Sequence, residues 1–69
     1  MRGLGEEVRE RRTRQKLSQE MLAQHAGVHT NVVGRLERGT YNPTVLTLAA
    51  IAVKLSASLE EIFAGAARR

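Results

Sequence analysis

The chain has 69 residues, no cysteine, and eleven Lys and Arg against seven Glu with no Asp, for a formal net charge of +4. That length allows a single domain, here taken as residues 1–69, and excludes a sizeable enclosed substrate cavity; the lack of cysteine excludes disulfides and thiolate metal sites and fits a reducing cytoplasm. The basic balance favours nucleic acid or another polyanion, though many unrelated small proteins are as basic.

The opening Gly3 and Gly5 predict a loose start, with a first helix from about Leu4 or Glu6 to Lys16 that turns Leu4 and Val8 inward. Glu7 with Arg11 and Glu10 with Arg14 are i,i+4 pairs in the favourable order, each worth a few tenths of a kcal/mol at most, and they read mainly as a solvated face. Arg12 differs, because Val8, Arg9, Gln15 and Lys16, its neighbours on the helix, offer no carboxylate. Glu37 has only the adjacent Arg38, which points elsewhere. Two locally unpaired opposite charges suggest each other, the alternative being two independent surface charges.

The stretch SQEMLAQHAGVHTNVVGRLERG, about 18–38 with the closing glycine, reads as two short helices joined by a tight turn. Ser18 suits an N-cap, Gly27 can take the left-handed conformation that closes a helix, and Val28 follows as an apolar plug. His29 or Thr30 then opens a second helix to about Arg38, ended by Gly39. At about 100° per residue, Thr30, Gly34, Asn31 and Arg35 share one arc, and Val32, Leu36 and Val33 share the other. The first arc carries an amide, a hydroxyl and a guanidinium without an acid. Such a face suits the base edges of a DNA major groove, and it equally suits an ordinary solvated surface.

Thr40-Tyr41-Asn42-Pro43 reads as a loop, with Pro43 fixing the chain direction. Thr44 caps a fourth helix, about Val45 to Leu55, whose core stripe is Leu48, Ile51, Ala52 and Leu55. Leu46, Ala50 and Val53 form a second apolar stripe nearly opposite, more than a small monomer can bury. Ser58-Leu59-Glu60-Glu61 is a capping box opening a short fifth helix through Ile62 and Phe63, and the tail 65–69 is expected to fray.

Other chemistries are poorly supported. His25 and His29 are four apart, but Gly27 breaks the helix between them and no Cys or Asp adds a ligand, so no metal site is expected. No Gly-rich phosphate loop or paired carboxylates in a cleft suggest an enzyme, and no cofactor or small-molecule ligand is implied. The start lacks an apolar signal core, and the longest apolar stretch, Val45 to Val53 broken by Thr47, falls short of the about 20 residues of a membrane span. A soluble, cytoplasmic protein is expected.

The spacing L17-S18-Q19-x-x-L22-A23-x-x-A26-G27-V28, then V33-x-x-L36-E37-x-G39, then P43 and L48-x-x-x-A52-x-x-L55, closely resembles the Cro and phage-repressor (XRE) type of helix-turn-helix regulators. The match runs from about Leu4 to Phe63. The resemblance implies an all-α fold, a compact five-helix bundle like the lambda-repressor DNA-binding domain, and a regulator of transcription that binds a roughly palindromic double-stranded DNA operator as a homodimer. It also implies roles for residues. Thr30, Asn31, Gly34 and Arg35 occupy the base-reading positions, and Gln19 resembles the glutamine that clamps a phosphate. Arg38, Thr40, Tyr41 and Asn42 are expected at phosphates near the loop, and Arg12 with Glu37 as a shielded salt bridge. Leu46, Ala50, Val53, Leu59 and Phe63 are expected at a dimer interface of the C-terminal helices. Departures from the usual pattern are Gly34 for a common serine, Arg11 for leucine, Lys16 for glycine and Lys54 for alanine; Leu46 and Val53 stand where residues are usually polar. Gly34 permits close approach to DNA or is a silent position. The competing class is a protein-interaction module on the same fold, antitoxin-like or a bridging factor.

Overall fold

The computed structural model describes residues 2–69, which form five α-helices and, among those residues, no strand. They are α1 (Arg2–Arg14), α2 (Gln19–Ala26), α3 (Thr30–Glu37), α4 (Val45–Lys54) and α5 (Leu59–Ala67). Local chemistry sets most boundaries. The Ser18 hydroxyl accepts from the Met21 N–H, Thr44 from Thr47, and Ser58 from Glu61, whose carboxylate accepts in return from the Ser58 N–H at 2.8 Å. Each cap satisfies a donor that the first helical turn leaves unpaired. Gly27 closes α2 at φ 74°, a left-handed conformation that suits a residue without a Cβ.

Helix α1 begins earlier than the paired glycines suggest and ends two residues before Lys16. Lys16 itself takes φ 60°, and the Leu17 N–H reaches back to the Arg12 carbonyl, so a lysine serves as the left-handed terminator where glycine would be unstrained. Gly3 and Gly5 are contact points rather than a loose start. A Cβ on Gly3 would come within 2.6 Å of the Ala66 carbonyl oxygen, and one on Gly5 within 2.7 Å of that of Glu37. The missing side chains let α1 lie directly against α5 and the end of α3.

The core joins all five helices: Leu4 and Val8 of α1, Leu22 and Ala23 of α2, Val33 and Leu36 of α3, Leu48, Ile51 and Ala52 of α4, Leu55, and Ile62 of α5. Leu17, Val28, Tyr41 and Leu59 pack around it half-buried. Within this frame α2 packs on α3 and α4, α1 on α3 and α5, and α4 on α5. Thus α3 is held from behind by its apolar arc, and its opposite side is left outward.

The ends of the chain depart from expectation too. Helix α5 continues to Ala67 instead of fraying from Gly65, and Arg69 folds back onto α1, donating to Glu7 Oε1 at 2.8 Å and pairing with Glu10. Glu7, expected on a solvated face, is only 6% exposed. Its carboxylate fills the space that a Cβ on Gly65 would occupy and accepts from Arg11 Nε at 2.6 Å. Burial acts to raise the Glu7 pKa, but Arg11 and Arg69 outweigh it and hold the carboxyl below its ordinary value.

Candidate nucleic-acid interface

Helix α3 opens on His29, whose backbone is extended and whose side chain makes no capping bond. Thr30 and Asn31 follow in its exposed first turn, which contains no acid. Arg35, one turn on, is also exposed. Its guanidinium lies over the Tyr41 ring, 5.6 Å from the centroid, a cation–π contact that reduces the freedom of a long side chain. The ring leans on the core, so Tyr41 forms a shelf beneath Arg35 as well as standing near the loop.

Beyond the Arg38 cap, Gly39 turns the chain at φ 80° and Thr40 follows. Its hydroxyl donates to the Arg35 carbonyl at 3.1 Å and its N–H to the same oxygen at 2.9 Å, which satisfies a carbonyl that the last helical turn would leave unpaired. Arg38 and Asn42 are exposed beside it. Behind α3 lies a charge cluster. Arg12 Nε stands 2.7 Å from Glu37 Oε2 and Nη2 3.0 Å from Oε1, a two-pronged pairing that matches guanidinium to carboxylate. The remaining terminal nitrogen of Arg12 donates to the Leu17 carbonyl at 2.7 Å, tying the end of α1 to the entry of α2. Gln19, at the start of α2, donates from its amide to Glu37 Oε1 at 3.0 Å.

Four features of this surface were not legible in the sequence. The Gln19–Glu37 bond joins residues 18 apart, and the Arg35–Tyr41 stack depends on how the loop after α3 folds back. Gly34, placed on the outward arc by helical geometry, is buried, because Gln19 and Arg38 lie across it. It offers no open edge of its own. Glu20 and Gln24 of α2 stand with Val28, His29 and Thr30 around a shallow groove beside the start of α3, so one carboxylate lies closer to the outward face than α3 alone suggests. No group of three or more His, Cys, Asp or Glu among the described residues is arranged to hold a metal.

The helix-turn-helix family model matches residues 8–62, which includes both helices of the motif and the elements that hold them. The chain belongs to the helix-turn-helix family. It is a DNA-binding transcriptional regulator of the Cro and phage-repressor type. Among similar proteins, control protein C.SmaI of Serratia marcescens is 39% identical over 59 residues, spanning 86% of this chain and 70% of that one. An uncharacterised HTH-type transcriptional regulator of Archaeoglobus fulgidus is 36% identical over 56 residues, or 81% and 79% of the two chains. The crystal structure of the restriction-modification controller protein C.AhdI from Aeromonas hydrophila superposes with a TM-score of 0.86 at 35% identity, covering 90% of this chain and 94% of that one. That of the clp gene regulator ClgR from Corynebacterium glutamicum gives 0.93 at 27% identity, covering 96% and 70%. In this helix-turn-helix chain α2 and α3 are the first and second helices of the motif. No helix among the described residues is long and apolar enough to cross a membrane.

Proposed function

We propose that the chain binds a roughly palindromic operator as a homodimer in the cytoplasm, with α3 in the major groove, and so controls transcription at that site. The observation that carries this reading is the outward face of α3, where Thr30 and Asn31 in its first turn and Arg35 one turn on stand exposed, with Arg38 and Asn42 flanking them. Arg35 can bond guanine O6 and N7 together, Asn31 adenine N6 and N7, and Thr30 either. Gln19, Arg38 and Asn42 serve the phosphates on either side, which fixes register without reading sequence. Thr40 and Tyr41 support these contacts from behind, through the Arg35 carbonyl and the Arg35 guanidinium.

The second chain covers the free side of α4. Leu46 is 84% and Val53 69% exposed, Phe63 of α5 is exposed near half its surface, and Ala50 and Leu59 are half-buried beside them. A twofold partner would shield these side chains and present two copies of α3 to half-sites about one DNA turn, ~34 Å, apart. Similarity to two control proteins, C.SmaI and C.AhdI, supports a controller role of the restriction–modification kind. The same apolar surface also suits an unlike protein partner, the reading in which the fold serves as an interaction module. Selection of bound sites from random duplex DNA, with stoichiometry measured on the winning site, separates the two. Two chains on a sequence with twofold symmetry are expected; recovery of no preferred sequence would leave the interaction module standing.

A further inference from the structure

Gly34 sits in the middle of α3, where glycine weakens a helix relative to alanine, and it is buried although it lies on the outward arc. A Cβ there would stand 3.2 Å from a terminal nitrogen of Arg38, and 3.5 and 3.8 Å from the amide oxygen and nitrogen of Gln19. Two side chains from different helices, a guanidinium and a primary amide, therefore rest over one bare stretch of backbone. Gln19 is anchored by one amide N–H on Glu37 Oε1, which leaves its second N–H to donate elsewhere. The Glu37 charge is matched by the two-pronged bond from Arg12, so the net charge this cluster turns outward is that of Arg38.

We propose that Gly34 is a positioning residue: its bare backbone is the floor on which Gln19 and Arg38 are held side by side as one seat for a single DNA phosphate. A phosphodiester offers two non-bridging oxygens, one for the amide and one for the guanidinium, and the neutralised Glu37 beneath does not repel it. Gly34 then sets affinity for the DNA backbone and reads no base. A side chain at this position pushes the Arg38 guanidinium away from Gln19, since its Cβ crowds Arg38 and meets Gln19 only at ordinary contact distance. The inference rests on the DNA-binding reading above, and the test keeps the two separable.

The experiment compares wild type, Gly34→Ala and Gly34→Met on a selected duplex and on a scrambled one, across a range of salt, alongside thermal unfolding. The alanine displaces only the mobile end of Arg38 by a few tenths of an ångström, whereas methionine fills the notch. Thermal midpoints are expected to stay or rise by a few degrees, since a mid-helix glycine is replaced. Affinity is expected to fall about threefold for alanine and about tenfold or more for methionine, on both duplexes alike, with the salt slope of log K shallower by about 0.9, the share of one phosphate. In an Arg38→Ala background the further loss from Gly34→Met should shrink towards none, because the seat is already broken. Unchanged affinity and slope in both variants, or a changed base preference at undiminished affinity, would overturn the proposal. If methionine unfolds the chain, the alanine variant decides by the same readouts. Wild type that binds neither duplex defeats the DNA-binding reading itself, whereas a normal wild type with indifferent Gly34 variants defeats only this one.

Discussion

Arg35, proposed to read a base, shows how such a side chain can be prepared before DNA arrives. Its guanidinium is exposed but stacked on Tyr41, so part of the entropy of ordering a long side chain is already spent in the free protein. Arg35→Ala is expected to relax base preference by about 1 to 3 kcal/mol at the positions it reads, with a smaller effect on scrambled DNA. Tyr41→Leu should reproduce part of that loss while keeping the apolar contact with the core. Binding to a panel of single-base variants of the selected site measures both, and an unchanged preference in Arg35→Ala would move the reading face elsewhere. Deeper in the structure, Arg12 and Glu37 have side chains only 12% and 3% exposed. Removing one partner leaves a buried charge unpaired, which costs about 3 to 5 kcal/mol, against under about 1 for an exposed pair. A denaturation double-mutant cycle with Arg12→Met and Glu37→Gln should therefore show strong coupling; additive losses would assign the stability elsewhere.

At the scale of elements, α1 shows which features sequence carries and which it conceals. Caps depend on residues three apart, so Ser18, Thr44 and Ser58 were readable, as were the core stripe of α4 and the left-handed Gly27. The polar arc of α3 was likewise readable for Thr30, Asn31 and Arg35, since helical spacing determines it. Gly3 and Gly5 read as looseness in the sequence because their function is to admit Ala66 and Glu37, partners far along the chain. The burial of Glu7 and the return of Arg69 are hidden in the sequence for the same reason: Gly65 provides the space for the carboxylate, and Arg69 returns across 62 positions to bond it. This contact has a pH signature. Because the folded pKa of Glu7 is depressed below the ordinary 4.5, its contribution is complete above that value and is lost as pH falls through the lower folded one. Glu7→Gln is expected to cost roughly 1 kcal/mol near neutrality and to flatten the decline of stability below about pH 4.5. Glu10 and Glu61 are lowered as well, by Arg69 and by the Ser58 backbone respectively, so some acid dependence persists. Denaturation across that range measures the difference, and an unaltered acid limb would remove Glu7 from the account.

The whole molecule has two outward faces of opposite character. One is polar and cationic, around α3; the other is apolar, around Leu46, Val53 and Phe63. A domain of this size has little further core to recruit, so the apolar face calls for a partner. Leu46→Glu and Val53→Glu are expected to shift sedimentation at tens of micromolar from dimer to monomer and to weaken binding to the full site more than to an isolated half-site. Variants that still dimerise and bind the full site as tightly as wild type would place the interface elsewhere. The polar face is proposed to read sequence in duplex DNA. The most direct test is a titration of the wild-type chain against its selected duplex and a scrambled duplex of equal length, repeated at several salt concentrations. On both duplexes log K is expected to fall linearly with log salt, by counterion release, while the selected duplex stays tighter by about a thousandfold or more. Equal affinity for the two duplexes, or binding indifferent to salt, would contradict that proposal.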